Sequence, residues 1–515
     1  MKAQLNKKLG QTLRRLSTVV VLLYLAACEQ GIDTHKQAML NLQTRTQELN
    51  AEFQPCTRDS TTALPALVAR SRCLVFTTAE NPAAPQGRQI QLQVMVVPAI
   101  SPLPEPDPFV ILVGGPGQAA TMDALPILPI FQGISANRDI VLIDQRGTGK
   151  LSPFNCDFGE ESTSEASSTQ LLLEIQTQYL QDCLAAIDAQ PQYYTTDIAV
   201  QDLDAIRAYL GYSQLNLWGV SYGTRVALAY LKYFPATTRT VVIDGVAPPG
   251  ILPLQAARDG GRALSTVMAL CAAELECAAV FPLLETHYAE LLQRYVVPVD
   301  ISVRDQTTGL MKNIELSSAV IQSNLFMMLY SRELTRLLPL FIEQLYQGNF
   351  QGLNAMTSNE SAGNIGMHYS VICSEDLPLI AAADIAAAQA DDSIFIYDLL
   401  VASRVEGCKV WPSRTLAPDF FTPVVSDKPV LIFSATQDPV TPQRWGDLVA
   451  ATLSNSRHLV ATGVGHGVFA YGCAAELITE FVDSAALQDL DTDCLNTLAT
   501  RPFFVTTGGS AAADD

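Results

Sequence analysis

The sequence predicts an α/β fold, in which a mostly parallel sheet flanked by helices is interrupted by a helical insertion. Between residues 66 and 250, short apolar runs alternate with helix-like segments, a pattern typical of parallel sheets. The alternation returns after residue 425, whereas residues 251–425 have mainly helical patterns. The length of 515 residues exceeds one ordinary core, so we expect one domain of about 250 residues that carries a large insertion.

Strands are predicted first at residues 72–76 and 89–97, and the second alternates apolar and polar residues like an antiparallel edge of a sheet. A continuous apolar run, typical of a strand buried on both faces, follows at residues 109–113. Further strands are predicted at residues 139–143, 217–218, 240–245, 429–434 and 457–460. Helices are predicted at residues 199–210, 224–229, 264–274, 283–294 and 331–346. On the first of these helices, Asp202 and Asp204 are expected to form a solvated face.

The N-terminus predicts an export signal. Basic residues precede an apolar run at residues 19–27, which is shorter than the roughly 20 residues that a bilayer span needs. The following Leu-Ala-Ala-Cys resembles a bacterial lipobox, in which the cysteine, here Cys28, is lipidated and becomes the mature N-terminus. Glu29, rather than Asp, would allow sorting to an outer membrane. We therefore expect a signal peptide over residues 1–27, a tether and lead-in over 28–65, and a location in the cell envelope.

The charge balance is strongly acidic, with 32 basic against 52 acidic residues, which disfavours nucleic acid as a partner. Removal of residues 1–27 would take away five basic and no acidic residues, so the mature charge becomes 27 minus 52, or −25. A soluble acidic surface is the simplest meaning of this excess. Residues 506–515 are small and acidic and are expected to be a disordered tail.

Eleven cysteines, less a lipidated Cys28, leave ten, an even number that suits disulfides in an oxidising compartment. The sequence does not fix their connectivity, and short separations favour Cys56 with Cys73, Cys156 with Cys183, Cys271 with Cys277, Cys373 with Cys408, and Cys473 with Cys494. Neither a Cys-x-x-Cys pair nor a Cys/His cluster is present, so we expect no metal and no cofactor.

A Gly-x-Ser-x-Gly motif at residues 219–223 lies between an apolar strand and an alanine-rich helix, so Ser221 is the predicted nucleophile. Chance would also produce this loose pattern, but acid and base candidates follow in the order Asp, His. Asp438 comes soon after a predicted strand, and His466 lies in a glycine loop after a later one. His458 is expected to pack within the sheet.

Glycine-rich loops follow two other predicted strands, Gly-Gly-Pro-Gly at residues 114–117 and Asp-Gln-Arg-Gly-Thr-Gly at 144–149. Together with residues 219–223, 438–442 and 465–467, they resemble the prolyl and tripeptidyl aminopeptidase branch of the α/β-hydrolases, over a stretch from about residue 70 to 500. Val113 replaces the usual histidine of prolyl aminopeptidases, and Ser152 lies one position farther from Gly149 than in the usual pattern of the family. Both departures favour the tripeptidyl branch.

The resemblance implies an α/β-hydrolase fold in which residues 251–425 form a helical cap over the active site, between the sheet portions 66–250 and 426–505. It implies an oxyanion hole made by the N–H groups of Gly115 and Tyr222. We expect an exported serine exopeptidase that releases short peptides or single residues from free N-termini. Peptides and, through the lipid anchor, a membrane are the expected partners. A carboxylester hydrolase on the same scaffold and a catalytically silent peptide-binding lipoprotein are the alternatives.

An exopeptidase of this kind must recognise a charged N-terminus, and a buried ammonium needs a carboxylate partner. Glu375 and Asp376, which follow an apolar run and Cys373, are the predicted partners within the cap. The alternative is an acidic pair at a helix N-terminus, where the helix dipole stabilises negative charge.

Overall fold

In a computed structural model, the described residues are 35–46, 49, 52–56, 65–156, 169–250, 253–304, 308–355, 363–390, 395–496, 498, 501–506 and 508. The predicted signal peptide, Cys28, Glu29 and nearly all of the predicted tail lie outside them. Within these ranges, none of the helices combines the length and the apolar character that a membrane crossing requires.

Nine strands form the central sheet, in the order β1-β2-β3-β5-β4-β6-β7-β10-β11, and β8 with β9 forms a separate hairpin. The strands are β1 Gln54–Pro55, β2 Arg72–Ala79, β3 Gln89–Val97, β4 Phe109–Leu112, β5 Ile140–Ile143, β6 Leu215–Val220, β7 Thr238–Asp244, β8 Val299–Arg304, β9 Met311–Leu316, β10 Val430–Ala435 and β11 Ser456–Ala461.

The pairing of the sheet is antiparallel at one side and parallel over the rest. β1, β2 and β3 pair antiparallel in sequence, and β3 also pairs antiparallel with β5. The remaining neighbours, from β5 across to β11, are parallel. β3 therefore has a partner on each side and is not an edge strand. The six parallel strands end at one common edge, where the glycine loops and the Gly-x-Ser-x-Gly motif lie.

The helices are α1 (residues 35–46), α2 Pro65–Arg70, α3 Ala120–Asp123, α4 Gln132–Ser135, α5 Thr169–Ala186, α6 Thr196–Leu210, α7 Tyr222–Tyr233, α8 Pro253–Ala273, α9 Leu275–Val280, α10 Leu284–Arg294, α11 Ser318–Tyr330, α12 Arg332–Thr335, α13 Leu338–Tyr346, α14 Ile365–Val371, α15 Ala382–Gln389, α16 Ser403–Val410, α17 Gln443–Ala450, α18 Ala474–Ser484 and α19 Asp493–Asn496.

Both faces of the sheet are covered, as the continuous apolar runs predict. On β6, Leu217 packs into the core with α6 and α7, whereas its neighbour Trp218 packs into the opposite core with α18. Successive residues of a strand point to opposite faces, so a strand buried on both faces needs apolar residues at every position. The topology and the double coverage confirm an α/β-hydrolase fold.

Residues 253–421 carry helices α8–α16, and most of these helices share a separate hydrophobic core that includes Val267, Leu325 and Ile342. Helix α14 instead packs its Met367 into the core beneath the sheet. The hairpin of β8 and β9 within this region was not predicted from the sequence. Its alternating residues, Val299 to Arg304, do carry the period of a strand. The helical patterns on either side obscured that short signal.

The five favoured disulfides are all present among the described residues, which confirms the short-separation pairing. Part of the segment predicted as a tether packs on the fold, because α1 buries Leu42 and places the Arg45 guanidinium 4.8 Å from the ring centre of Tyr209.

Asp202 and Asp204 do not form a solvated face, and that expectation was wrong. Asp202 is buried and receives two hydrogen bonds from the buried guanidinium of Arg146, at 2.7 and 2.9 Å. Asp204 is bonded by Arg207, Tyr230 and Thr237. A periodicity argument on one helix misses such partners, since Arg146 is contributed by the loop after β5.

Candidate active site

The turn from β6 into α7 places Ser221 in a backbone conformation that residues with side chains rarely adopt, with φ 56° and ψ −125°. A Cβ on Gly219 would overlap the backbone carbonyl of Gly223, and one on Gly223 would overlap the carbonyl of Leu112 on β4. Both glycines are therefore required for this turn to pack against the neighbouring strand. The turn leaves Ser221 partly exposed while the residues after it are buried.

Asp244, at the end of β7, joins the serine turn to the histidine loop. Its backbone carbonyl accepts a hydrogen bond from the N–H of Ser221 at 3.0 Å. Its carboxylate accepts from the N–H groups of Val468 at 2.8 Å and Phe469 at 2.7 Å. Burial raises the pKa of Asp244 to about 7, against these hydrogen bonds, which lower it. One strand end thus fixes both sides of the site.

His466 and Asp438 lie in contact, with Nδ1 of the histidine 2.8 Å from Oδ2 of the aspartate. Asp438 is buried and also accepts hydrogen bonds from the N–H of Val440 and from the N–H and hydroxyl of Thr441. Burial acts to raise the pKa of Asp438, but the facing His466 and these hydrogen bonds hold it below its ordinary value. The carboxylate is therefore ionised beside the imidazole.

Two further contacts orient the imidazole of His466. Oγ1 of Thr441 lies 3.1 Å from Nδ1, next to the aspartate. The N–H of His466 donates to the carbonyl of Tyr330 at 2.9 Å, and the Tyr330 ring stands edge-on to the imidazole with the ring centres 5.1 Å apart. Since Tyr330 is the last residue of α11, a helix of the insertion holds the histidine loop.

Of the predicted oxyanion-hole residues, Tyr222 directly follows Ser221 and Gly115 lies in the loop after β4. Tyr222 is the first residue of α7, where backbone N–H groups have no partner within the helix. Gly115 has φ 105°, and its neighbour Gly114 is so close to the serine that a Cβ there would lie 3.5 Å from Oγ. Gln118 accepts a hydrogen bond from the Gly114 N–H at 3.0 Å, which fixes the loop.

Glu375 and Asp376 lie in a π-helical turn that follows α14, and Asp376 directly precedes a short 3-10 helix, Leu377–Leu379. Both are buried, and both bond to the guanidinium of Arg225 on α7, at 3.1 Å and 2.9 Å. Glu375 also accepts from the N–H and hydroxyl of Thr196, at 2.7 and 2.9 Å. Burial outweighs Arg225 and raises the pKa of Glu375 to about 7. These contacts connect the insertion to the helix that begins at the serine turn.

The sequence analysis missed Asp244, Thr441 and Arg225. The signal for Thr441 was present, because a hydroxyl three residues after Asp438 can return to that carboxylate, as in other local side-chain turns. Arg225 sits four residues after Ser221, one helical turn along α7, but its partners are 150 and 151 residues away. No local pattern could have connected them.

Among the described residues, no group of three or more His, Cys, Asp or Glu side chains is arranged to hold a metal ion. Fold and geometry together define the chain as an α/β-hydrolase with a serine, histidine and aspartate at the carboxyl edge of its sheet.

The family described as "TAP-like protein" matches residues 394–494. The serine protease Hip1 of Mycobacterium tuberculosis is 26% identical over 416 residues, which cover 73% of this chain and 78% of that protein. A tripeptidyl aminopeptidase of Streptomyces lividans is 29% identical over 192 residues, or 35% of this chain and 36% of that one. These relatives confirm the predicted resemblance to the aminopeptidase branch.

Among solved structures, a proline iminopeptidase of Mycobacterium smegmatis aligns with 80% of this chain and 100% of its own, at 14% identity and a TM-score of 0.37. The fold assignment rests on the strand order described above.

Proposed function

We propose that this chain is an exported serine aminopeptidase that releases short peptides or single residues from the free N-termini of peptides. The observation that carries the proposal is the arrangement at the carboxyl edge of the sheet. There Asp244 holds the strained Ser221 turn and the loop of His466 together, and His466 contacts the ionised Asp438. The names of the relatives supply the substrate class, which is peptide.

In the first half of the reaction, Oγ of Ser221 attacks the carbonyl carbon of the scissile peptide bond. Its proton passes to Nε2 of His466, the ring nitrogen that does not face Asp438, and the carboxylate stabilises the imidazolium that forms. The N–H groups of Gly115 and Tyr222 bind the oxyanion. The C–N bond then breaks, the departing amine takes the proton from His466, and the N-terminal fragment remains as an ester on Ser221.

In the second half, His466 removes a proton from a water molecule, which attacks the ester carbonyl. The tetrahedral intermediate collapses, the Ser221 oxygen takes the proton back from His466, and the fragment leaves with a new carboxylate. Thr441 supports both halves, because its hydroxyl donates to the same Oδ2 of Asp438 that faces the imidazole.

Restriction to chain ends is assigned to residues 251–425 acting as a cap. In support, α11 reaches His466 through Tyr330, and the start of α14 contacts the glycine loop, where the N–H of Asn364 donates to the carbonyl of Gly117 at 2.7 Å. Recognition of the substrate's ammonium by Glu375 and Asp376 stays a prediction. Their observed partners, Arg225 and Thr196, favour a role in holding α7.

The five disulfides and the Hip1-like relative support export of the chain. Lipidation of Cys28 and attachment to an envelope membrane are part of the proposal and rest on the lipobox pattern of residues 25–28.

A comparison of substrates tests the proposed activity. Aminoacyl and tripeptidyl arylamides with unblocked N-termini should be hydrolysed, their N-acetylated forms should not, and simple p-nitrophenyl esters should be poor substrates. Turnover of the esters alone would instead support the carboxylester hydrolase, and no turnover of either class would support the silent peptide-binding protein. End-group analysis of the products from unblocked peptides then gives the number of residues that each cleavage releases.

A further inference from the structure

The chain has an apolar surface at the edge of the sheet opposite Ser221. It consists of α1 (residues 35–46) and the loop of residues 98–106, which we call the base surface. Three large apolar side chains are exposed on it: Leu40 at 49%, Ile100 at 67% and Leu103 at 64%. An imidazole nitrogen of His35 lies 3.5 Å from a carboxylate oxygen of Glu105, so the two segments are neighbours.

The loop of the base surface is fixed in place. The N–H groups of Ile100, Ser101 and Glu105 donate to the carbonyls of Ser135, Ala136 and Asn137, at 2.8 to 2.9 Å. Asp139 accepts from the N–H of Ala99 at 2.9 Å. The loop also contains four prolines in nine residues, which restrict its backbone. Ile100 and Leu103 are therefore held outward by a rigid backbone and do not collapse onto the core.

The charge of the base surface differs from that of the chain as a whole. The full sequence has a formal net charge of −20, yet residues 35–46 contain no acidic residue and carry Lys36 and Arg45. Residues 98–106 contain one acidic residue, Glu105, and His35 is its neighbour. An apolar, weakly basic patch on an acidic protein matches the chemistry of a bilayer surface with anionic headgroups.

The position of Cys28 in the sequence indicates which partner covers the base surface. Six residues lie between Cys28 and His35, the first described residue of α1, and the seven steps between these two Cα atoms span at most about 25 Å. A lipid on Cys28 would therefore keep α1 within that distance of the membrane. We infer that the base surface is the lipid-facing side of the protein and rests on the bilayer. This inference depends on the lipid anchor proposed above.

The sheet topology then sets the direction of the active site. β3 runs antiparallel to the parallel strands, so the loop after Val97 lies at the edge where the parallel strands begin. The N–H of Asn216, near the start of β6, donates to the carbonyl of Pro108 at that edge. β6 has six residues, so at roughly 3.3 Å per residue Ser221 lies about 20 Å away, across the sheet. The site therefore opens away from the bilayer, toward peptides in the aqueous phase.

The test uses the full, lipidated protein bound to vesicles of phosphatidylethanolamine and phosphatidylglycerol that contain a nitroxide-labelled lipid. Leu103→Cys is labelled with a fluorescent thiol reagent, and Leu275→Cys, at a position 88% exposed on the insertion, is the matched control. The ten cysteines of the described residues are in disulfides, so each new thiol is labelled selectively. We expect quenching at residue 103, and none at residue 275, in the vesicle-bound protein.

A vesicle-bound protein that is quenched at residue 275, or at neither position, overturns the inference and leaves the anchor intact. A wild-type chain that does not sediment with vesicles overturns the anchor, and the orientation with it. Ile100→Glu combined with Leu103→Glu should leave peptide turnover in detergent unchanged. On vesicles, a label at Leu40→Cys should lose most of its quenching in that double variant. Undiminished quenching there would show that the apolar residues do not hold the surface to lipid.

Discussion

Two buried carboxylate sites, at Asp438 and at Glu375 with Asp376, show how the partner of a charge decides its use. Asp438 faces His466, whose own charge changes during the proposed reaction, and its pKa is held below the ordinary value. Glu375 faces Arg225, a permanent cation, and burial raises its pKa to about 7. The first arrangement keeps a carboxylate ionised beside a proton carrier. The second uses the permanent charge of Arg225 to join the turn after α14 to α7.

The largest effect should follow from Ser221→Ala, which removes the proposed nucleophile. We expect kcat for an unblocked peptide to fall on the order of 10⁶-fold. The melting temperature should be retained or raised, because the serine makes no core contact and alanine keeps the small size. His466→Ala with Ser221→Ala should cost no more than Ser221→Ala alone, since the residues act as a unit. Losses that multiply would contradict the assigned roles.

Asp438→Asn against Asp376→Asn separates the two sites directly. The first should lower kcat on the order of 10⁴-fold with little loss of stability, because asparagine no longer stabilises the imidazolium. The second should cost about 3–5 kcal/mol of unfolding free energy, because it leaves Arg225 with less compensating charge in a buried position. Kinetics and urea unfolding on both variants provide the measurement. A similar balance of catalytic and stability losses in both would erase the distinction between the sites.

The sequence predicted the parts of this comparison that are local in the chain. Ser221, its flanking glycines and the five disulfides are defined by short spacings, and the largest cysteine separation is 35 residues. The strand before Asp438 carries a continuous apolar run, and a glycine on each side marks the loop of His466. Arg225 could not be paired with Glu375 in this way, and neither could Arg146 with Asp202, because tertiary packing alone brings these residues together. The hairpin of β8 and β9 was not predicted for a different reason, because its sequence signal is local but short.

Thr441→Val should lower activity less than Ser221→Ala or Asp438→Asn. It removes one hydroxyl that donates to the ionised Asp438 at 2.7 Å, and a hydrogen bond to a charged group contributes about 1.5–3 kcal/mol. We expect kcat/KM to fall roughly 10- to 100-fold by the same principle. Thr238→Val is the matched control. Thr238 is buried at the start of β7, at the end of the strand away from the site, and its hydroxyl donates to the backbone carbonyl of Phe234. Equal losses in both variants would assign Thr441 to packing alone.

The smallest effect concerns the pH dependence of Glu375→Gln, and it decides what the second carboxylate site does. Glu375 has a pKa raised to about 7 by burial, against the opposing Arg225, so its ionised, Arg225-bonded form is lost as the pH falls below 7. In the wild-type enzyme, kcat/KM should therefore contain a component that falls a few-fold on the acid side of pH 7. Glutamine cannot ionise, so in the variant that component should disappear while the rest of the pH dependence remains.

The substrate dependence of this change separates the two roles of Glu375. If the carboxylate receives the substrate's ammonium, the pH profile should change for unblocked peptides and not for a small neutral ester. If it holds α7 through Arg225 and Thr196, both substrates should show the same change, because the proposed oxyanion donor, the Tyr222 N–H, lies at the start of that helix. Glu343→Gln, a carboxylate of the insertion that contacts His287 at 2.7 Å, is the control and should leave both profiles unaltered. Wild-type profiles retained by Glu375→Gln on both substrates would exclude either role.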